Sequence, residues 1–74
     1  MSHEKSADKL VYMANQIATF FRGQGNEAAA IASTAEHLRK FWDPRMRAAI
    51  LRHLAAGGHG LDEVPRRAVE TLKN

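Results

Sequence analysis

The residues best suited to chemistry are four histidines, a glycine-rich loop, two hydroxyls and a cluster of arginines. The histidines stand at His3, His37, His53 and His59, and cysteine is absent. A helix presents two metal ligands on one face only when they stand at i and i+3 or i+4, and no pair of these histidines does. The loop Gly57-Gly58-His59-Gly60 precedes a helix start, where backbone N–H groups can cradle a phosphate. No strand leads into it, and no Lys-Ser or Lys-Thr pair follows. The acids Asp62 and Glu63 come next and repel phosphate, so the loop reads as a connector. Ser33 and Thr34 lie in an alanine-rich stretch without the Ser-His-acid spacing of a nucleophilic site. The sequence therefore assigns no catalytic residue, no cofactor-binding residue and no metal ligand.

A basic stretch carries more information. Between Arg39 and Arg52 stand Arg39, Lys40, Arg45, Arg47 and Arg52 against Asp43 alone, with Phe41 and Trp42 interleaved. Such a patch can bind phosphates and stack bases, as in a small basic nucleic-acid-binding protein. It can equally be a solvated rim whose arginine stems cover apolar surface. A third reading is a protein interface, where Trp and Arg are over-represented among the residues that carry binding energy. The neighbouring helices favour the third. From Leu10 to Phe21 no residue is charged, and the polar side reads Tyr12, Asn15, Gln16 and Thr19; from Ala28 to Ala35 charge is again absent. A helix bathed in water ordinarily carries Lys and Glu on its outer face. Neutral outer faces point to a covering partner, and the candidate contact residues are Tyr12, Gln16, Phe41, Trp42, Arg45, Arg47 and Arg52.

The elements that must position these residues are helices. No run of period two rich in Val, Ile, Thr and aromatics occurs, so strands are not expected. Ser6 can cap a first helix, with Leu10, Met13, Ala14, Ile17, Phe20 and Phe21 on its inner face. Gly23 and Gly25 end it by entering the left-handed region. Asn26 and Glu27 open a second helix with Ala28, Ile31, Ala35, Leu38 and Trp42 inward. Asp43-Pro44 is the sharpest boundary: Asp caps a third helix, and Pro sits at its first position, where the missing N–H has no partner to lose. That helix turns Met46, Ala49, Ile50, His53 and Leu54 inward, with Arg45 and Arg52 on one flank and Arg47 on the other. Gly57, Gly58 and Gly60 end it. Asp62 opens a last short helix with Leu61, Val64, Ala68 and Leu72 inward, and Pro65 in its first turn. The expected fold is all-α, a small bundle of three to four short helices.

Seventy-four residues with a net charge of +3 make one domain, residues 1–74, with a frayed tail at 1–5. Without disulfides or a metal, a chain of this size has a marginal core and needs tight packing or a partner. No apolar run reaches the length of a membrane span, and no signal peptide is visible, so a cytoplasmic location is expected.

One segment is distinctive as a sequence. His37-Leu-Arg-Lys-Phe-Trp-Asp-Pro-Arg-Met-Arg47, continued by Leu54-Ala-Ala-Gly-Gly58 and Gly60-Leu-Asp62 and preceded by Met13-Ala-Asn-Gln-Ile-Ala-Thr-Phe-Phe21, resembles the delta subunit of NAD-dependent formate dehydrogenases. The likeness runs from about Leu10 to Leu72, and its specific part is Lys-Phe-Trp-Asp-Pro-Arg-Met-Arg. It implies a small accessory subunit without a cofactor of its own, in a soluble, oxygen-tolerant, molybdenum-dependent alpha-beta-gamma-delta complex. There the alpha subunit holds bis-molybdopterin guanine dinucleotide and iron–sulfur clusters. The beta and gamma subunits carry FMN, further clusters and the NAD site, and formate and NAD⁺ become CO₂ and NADH. The implied partner is the alpha subunit.

Overall fold

The computed structural model describes residues 2–73, with side chains from Ala7 onward. Four helices follow in order: α1 (Ser2–Arg22), α2 (Glu27–Phe41), α3 (Pro44–Ala55) and α4 (Glu63–Glu70), closed by a 3-10 turn at Thr71–Lys73. The fold is all-α. α1 starts at Ser2, so Ser6 lies within the helix and does not mark its start. The side chains of Ser6 and of the whole expected tail at 1–5, His3 among them, lie outside the described side chains.

Two helix starts follow local chemistry closely. Asn26 Oδ1 accepts from Ala29 N at 2.8 Å, and Asp43 Oδ1 accepts from Met46 N at 2.9 Å. Each side chain satisfies one N–H that the first turn leaves without an intrahelical partner. Pro44 occupies the start of α3 as expected. The first helix end differs from expectation, since neither Gly23 nor Gly25 takes a positive φ. α1 instead closes with a turn in which Gln24 N donates to Phe21 O at 3.0 Å. The left-handed ending falls at α3, where Gly57 N donates to Leu54 O at 3.0 Å and Gly58 N to His53 O at 2.9 Å. This is the Schellman pairing, and it carries Gly57 and Gly58 at φ +121° and +65°. At Gly58 a Cβ would also stand 2.9 Å from an Arg66 nitrogen and 3.1 Å from Leu54 Cδ1, so a side chain there would displace the Arg66 guanidinium besides adopting a left-handed φ.

α2 is the central element, packed against α1 on one side and α4 on the other. The main core joins Val11 and Ala14 of α1, Leu38 and Trp42 of the α2 end, Ile50 of α3, Leu61, and Val69 of α4. A smaller cluster gathers Ala18, Ala30 and Val64, with Phe21 and Ile31 packed against it. Two expected inward residues are outside: Phe20 is 61% exposed, and Ala28 is also exposed. The buried rows are Val11, Ala14 and Ala18 on α1, and Ala30, Thr34, Ala35 and Leu38 on α2. Small alanines at these contacts let the helix axes approach closely, which rotates the larger Phe20 out of the seam.

Arginines complete the tertiary ties. The Arg47 guanidinium donates to Trp42 O and, at 3.2 Å, to Arg39 O. Arg66 donates to Gly57 O at 3.4 Å and Gly58 O at 3.2 Å, and Arg39 reaches Thr71 O and Oγ1, each at 3.4 Å. Arg47 and Arg66 thus place positive charge on carbonyls at or just past the ends of α2 and α3, where unpaired acceptors and the helix dipole favour it. Asn15 has a similar internal duty. Its Nδ2 donates to Gly60 O at 2.9 Å and its Oδ1 accepts from Asp62 N at 3.0 Å, which ties α1 to the α3–α4 loop.

Candidate functional site

Three exposed rings stand out on a surface where apolar bulk is otherwise tucked in: Tyr12 at 65%, Phe20 at 61% and Phe41 at 70% exposure. Tyr12, Gln16 and Phe20 follow one another at i, i+4 and i+8 along α1, one ridge of the helix surface. Beside that ridge lies an open groove of about 470 Å³ lined by Tyr12, Met13, Gln16, Ile17, His37, Phe41, Trp42 and Met46. α1 supplies one wall, the end of α2 the other, and Met46 from the first turn of α3 closes one end. The Asp43-Pro44 corner makes this possible. It ends α2 beside Trp42, buries that ring at 4% exposure, and starts α3 so that Met46 comes up against it.

Aromatic contacts continue the site along α2. The Phe20 and Phe21 rings meet edge to face at 5.1 Å, Phe21 stands 6.3 Å from the His37 ring, and His37 lies 4.8 Å from Phe41. His37 and Phe41 also line a second hollow of about 230 Å³ with Phe21, Ser33, Glu36 and Lys40. His37 Nδ1 is buried and has no hydrogen-bond partner among the described residues, as is Thr34 Oγ1. Such atoms carry a desolvation cost until something satisfies them.

Of the seven residues singled out from sequence, the structure brings Tyr12, Gln16, Phe41 and Trp42 into one groove. Arg45 and Arg52 are exposed on α3 beyond it. Arg47 is separated from them in role, half-buried and held against the α2 carbonyls. Sequence reasoning missed Met13, Ile17 and Met46 as site residues because their helical spacing marks them as core; they are half-buried and form the groove's floor. His37 was weighed only as a metal ligand, although its place four residues before Phe41 already puts both rings on one face.

The basic stretch is partly engaged from within. Arg39 and Arg47 hold carbonyls, and Lys40 Nζ lies 3.3 Å from Glu36 Oε2. Arg45 and Arg52 remain, too few to make the long phosphate-binding track of a nucleic-acid protein. His53 Nε2 lies 2.7 Å from His59 O and so staples α3 to its following loop. Among the described residues no group of three or more His, Cys, Asp or Glu side chains is placed to hold a metal ion. A wider hollow of about 600 Å³ over Ala28, Ala32 and Ala35 is bordered by two pairs, Arg39 with Thr71 and Lys40 with Glu36.

The fold and site define a small all-α chain with an open, apolar, aromatic-walled groove between three helices. Residues 9–69 match the family model described as NADH-dependant formate dehydrogenase delta subunit FdsD. The chain belongs to that family, the delta subunits of NADH-dependent formate dehydrogenase. Comparison with curated proteins and with solved structures returns no match. No described helix is long and apolar enough to cross a membrane.

Proposed function

We propose that the chain is a non-catalytic accessory subunit that docks through the Tyr12–Phe41 groove on the molybdenum-bearing alpha subunit of a cytoplasmic formate dehydrogenase. The observation that carries this reading is the exposure of Tyr12, Phe20 and Phe41 around an apolar groove in a chain of only 74 residues. Aromatic side chains clustered at a concave apolar patch are characteristic of the anchored centre of a protein interface. Family membership supplies the complex in which the partner is sought. In this reading molybdopterin guanine dinucleotide, iron–sulfur clusters, FMN and NAD are held by the larger subunits, and this chain stabilises the alpha subunit during assembly or cofactor insertion. A partner that binds only the folded state stabilises it by mass action, which suits a chain with a small core.

Co-expression of the tagged chain with its complex subunits tests the reading. The wild-type chain should recover the alpha subunit in stoichiometric amount, while Tyr12→Ser combined with Phe41→Ser should lose it with unchanged helicity. Complex assembled without the chain should keep formate-dependent NAD⁺ reduction per bound molybdenum but hold less molybdenum. Recovery of nucleic acid in place of dehydrogenase subunits overturns the reading.

A further inference from the structure

Resting on that docking reading, we infer that the occupant of the groove is an amphipathic helix of the partner whose flank carries two carboxylates two helical turns apart, paired with Arg45 and Arg52. Three observations converge on it. First, the α1 wall is a helical ridge: Tyr12 and Gln16, one turn apart, stand over Met13 and Ile17, again one turn apart. A ridge with a repeat of one turn accepts another helix, whose own i, i+4 rows have the same spacing. An extended strand, with alternate side chains about 7 Å apart, would match it less well.

Second, α3 holds two guanidiniums without a partner among the described residues. Pro44–Ala55 contains no acidic residue, and among the described residues neither the Arg45 nor the Arg52 side chain makes a hydrogen bond or ion pair. The contrast with Arg39, Arg47 and Arg66, each bound to carbonyl oxygens, is sharp. Seven residues correspond to about 10.5 Å of helix and a rotation that returns to within about 20°, so the two cations form a pair along one face. The residues beside them on that face, Ala48, Ala49, Ala55 and Ala56, are all alanines, so a neighbouring helix can lie close.

Third, the two features adjoin in the chain. Arg45 is the residue before Met46, which lines the groove from the first turn of α3. In the inferred pose the partner helix leaves the groove along α3, passing Arg45 and then Arg52. Carboxylates at i and i+7 on its flank repeat at about 10.5 Å, the spacing of the arginine pair. Arginine–carboxylate bonds of this type set register and orientation more than raw affinity.

A photo-crosslinking residue placed at Gln16 of the full chain, co-expressed with the other complex subunits, tests the inference by mass spectrometry of the joined peptide. The expected product is a helical segment of a dehydrogenase subunit with Asp or Glu at i and i+7. Arg45→Glu with Arg52→Glu should reduce recovery of that subunit at least tenfold and abolish its loss at high salt, with unchanged helicity. Reversing the two partner carboxylates to Arg should restore recovery by the doubly reversed chain. A crosslink to a strand or to a helix without the acidic pair, or full recovery by the doubly reversed chain, overturns the inference and leaves the docking reading standing. Failure of the wild-type chain to recover any dehydrogenase subunit overturns both.

Discussion

The corner between α2 and α3 and the wall of α1 are built from similar residue types and put them to opposite uses. At the corner an aromatic and an arginine are both turned inward. Trp42 is 4% exposed, and Arg47 folds back over the carbonyls that α2 leaves without partners. Along the α1 wall and the last turn of α2, smaller aromatics stand in water, Tyr12 at 65% and Phe41 at 70%. Phe41 and Trp42 are neighbours in the chain with opposite fates. The difference lies in the helical step. Trp42 N still donates to Leu38 O at 3.1 Å, so the ring continues the buried Leu38 row, while Phe41, about 100° round the helix, continues the row of His37 on the outer side. The lesson concerns arginine as much as aromatics: in this small chain, Arg39, Arg47 and Arg66 are bound to internal carbonyls.

Substitutions on the two sides should separate cleanly. The largest effect belongs to Trp42→Ala, which empties the shared core of α2 and α3 and should cost about 3–5 kcal/mol. For a chain of this size each kcal/mol corresponds to about 4–8 °C, so circular dichroism should show Tm falling by more than about 12 °C or the cooperative transition disappearing. A small shift would mean that the ring is not the keystone of the corner.

Arg47→Met comes next. It keeps most of the apolar stem and removes the donors to Trp42 O and Arg39 O, so a loss of about 1.5 kcal/mol is expected in urea unfolding. The bonds give Arg47, a candidate contact residue from sequence, a role inside the chain as well. Full stability of Arg47→Met would return Arg47 to the docking surface. Asp43→Ala should cost about 1 kcal/mol through the lost cap on Met46 N, with no change in partner recovery, checked by the same denaturation curves.

Phe41→Ser sits at the small end. With most of its ring already in water, its effect on the isolated chain should stay within about 0.5 kcal/mol, while complex recovery falls. If Phe41→Ser destabilises the isolated chain as much as Trp42→Ala, the two regions are one core and the contrast collapses. Arg67→Ala should change nothing measurable. Its guanidinium is fully exposed and its pKa is raised chiefly by the 2.7 Å hydrogen bond to Glu63 Oε2, with the charge of Glu63 adding to it. Surface pairs of this kind are screened by solvent.

What the amino-acid sequence determined by itself was local. Asn26 and Asp43 cap because a short side-chain oxygen reaches an N–H three residues on, and Pro44 starts a helix because its ring forbids the alternative at Asp43. The Gly57-Gly58 ending of α3 is equally local, since few other residues tolerate those φ values. The all-α class follows from the same punctuation. Tertiary structure alone decided which side of each helix is covered. Periodicity defines a stripe only to within a residue or so, and on α1 the packing chose Val11, Ala14 and Ala18 over Phe20, because alanine seams bring helices closest together. It also decided which arginines have duties inside the chain. Arg39 and Thr71 are 32 residues apart, and Asn15 and Asp62 are 47 apart. No local rule connects them, since a side chain finds a distant carbonyl or amide only once the helices between have packed.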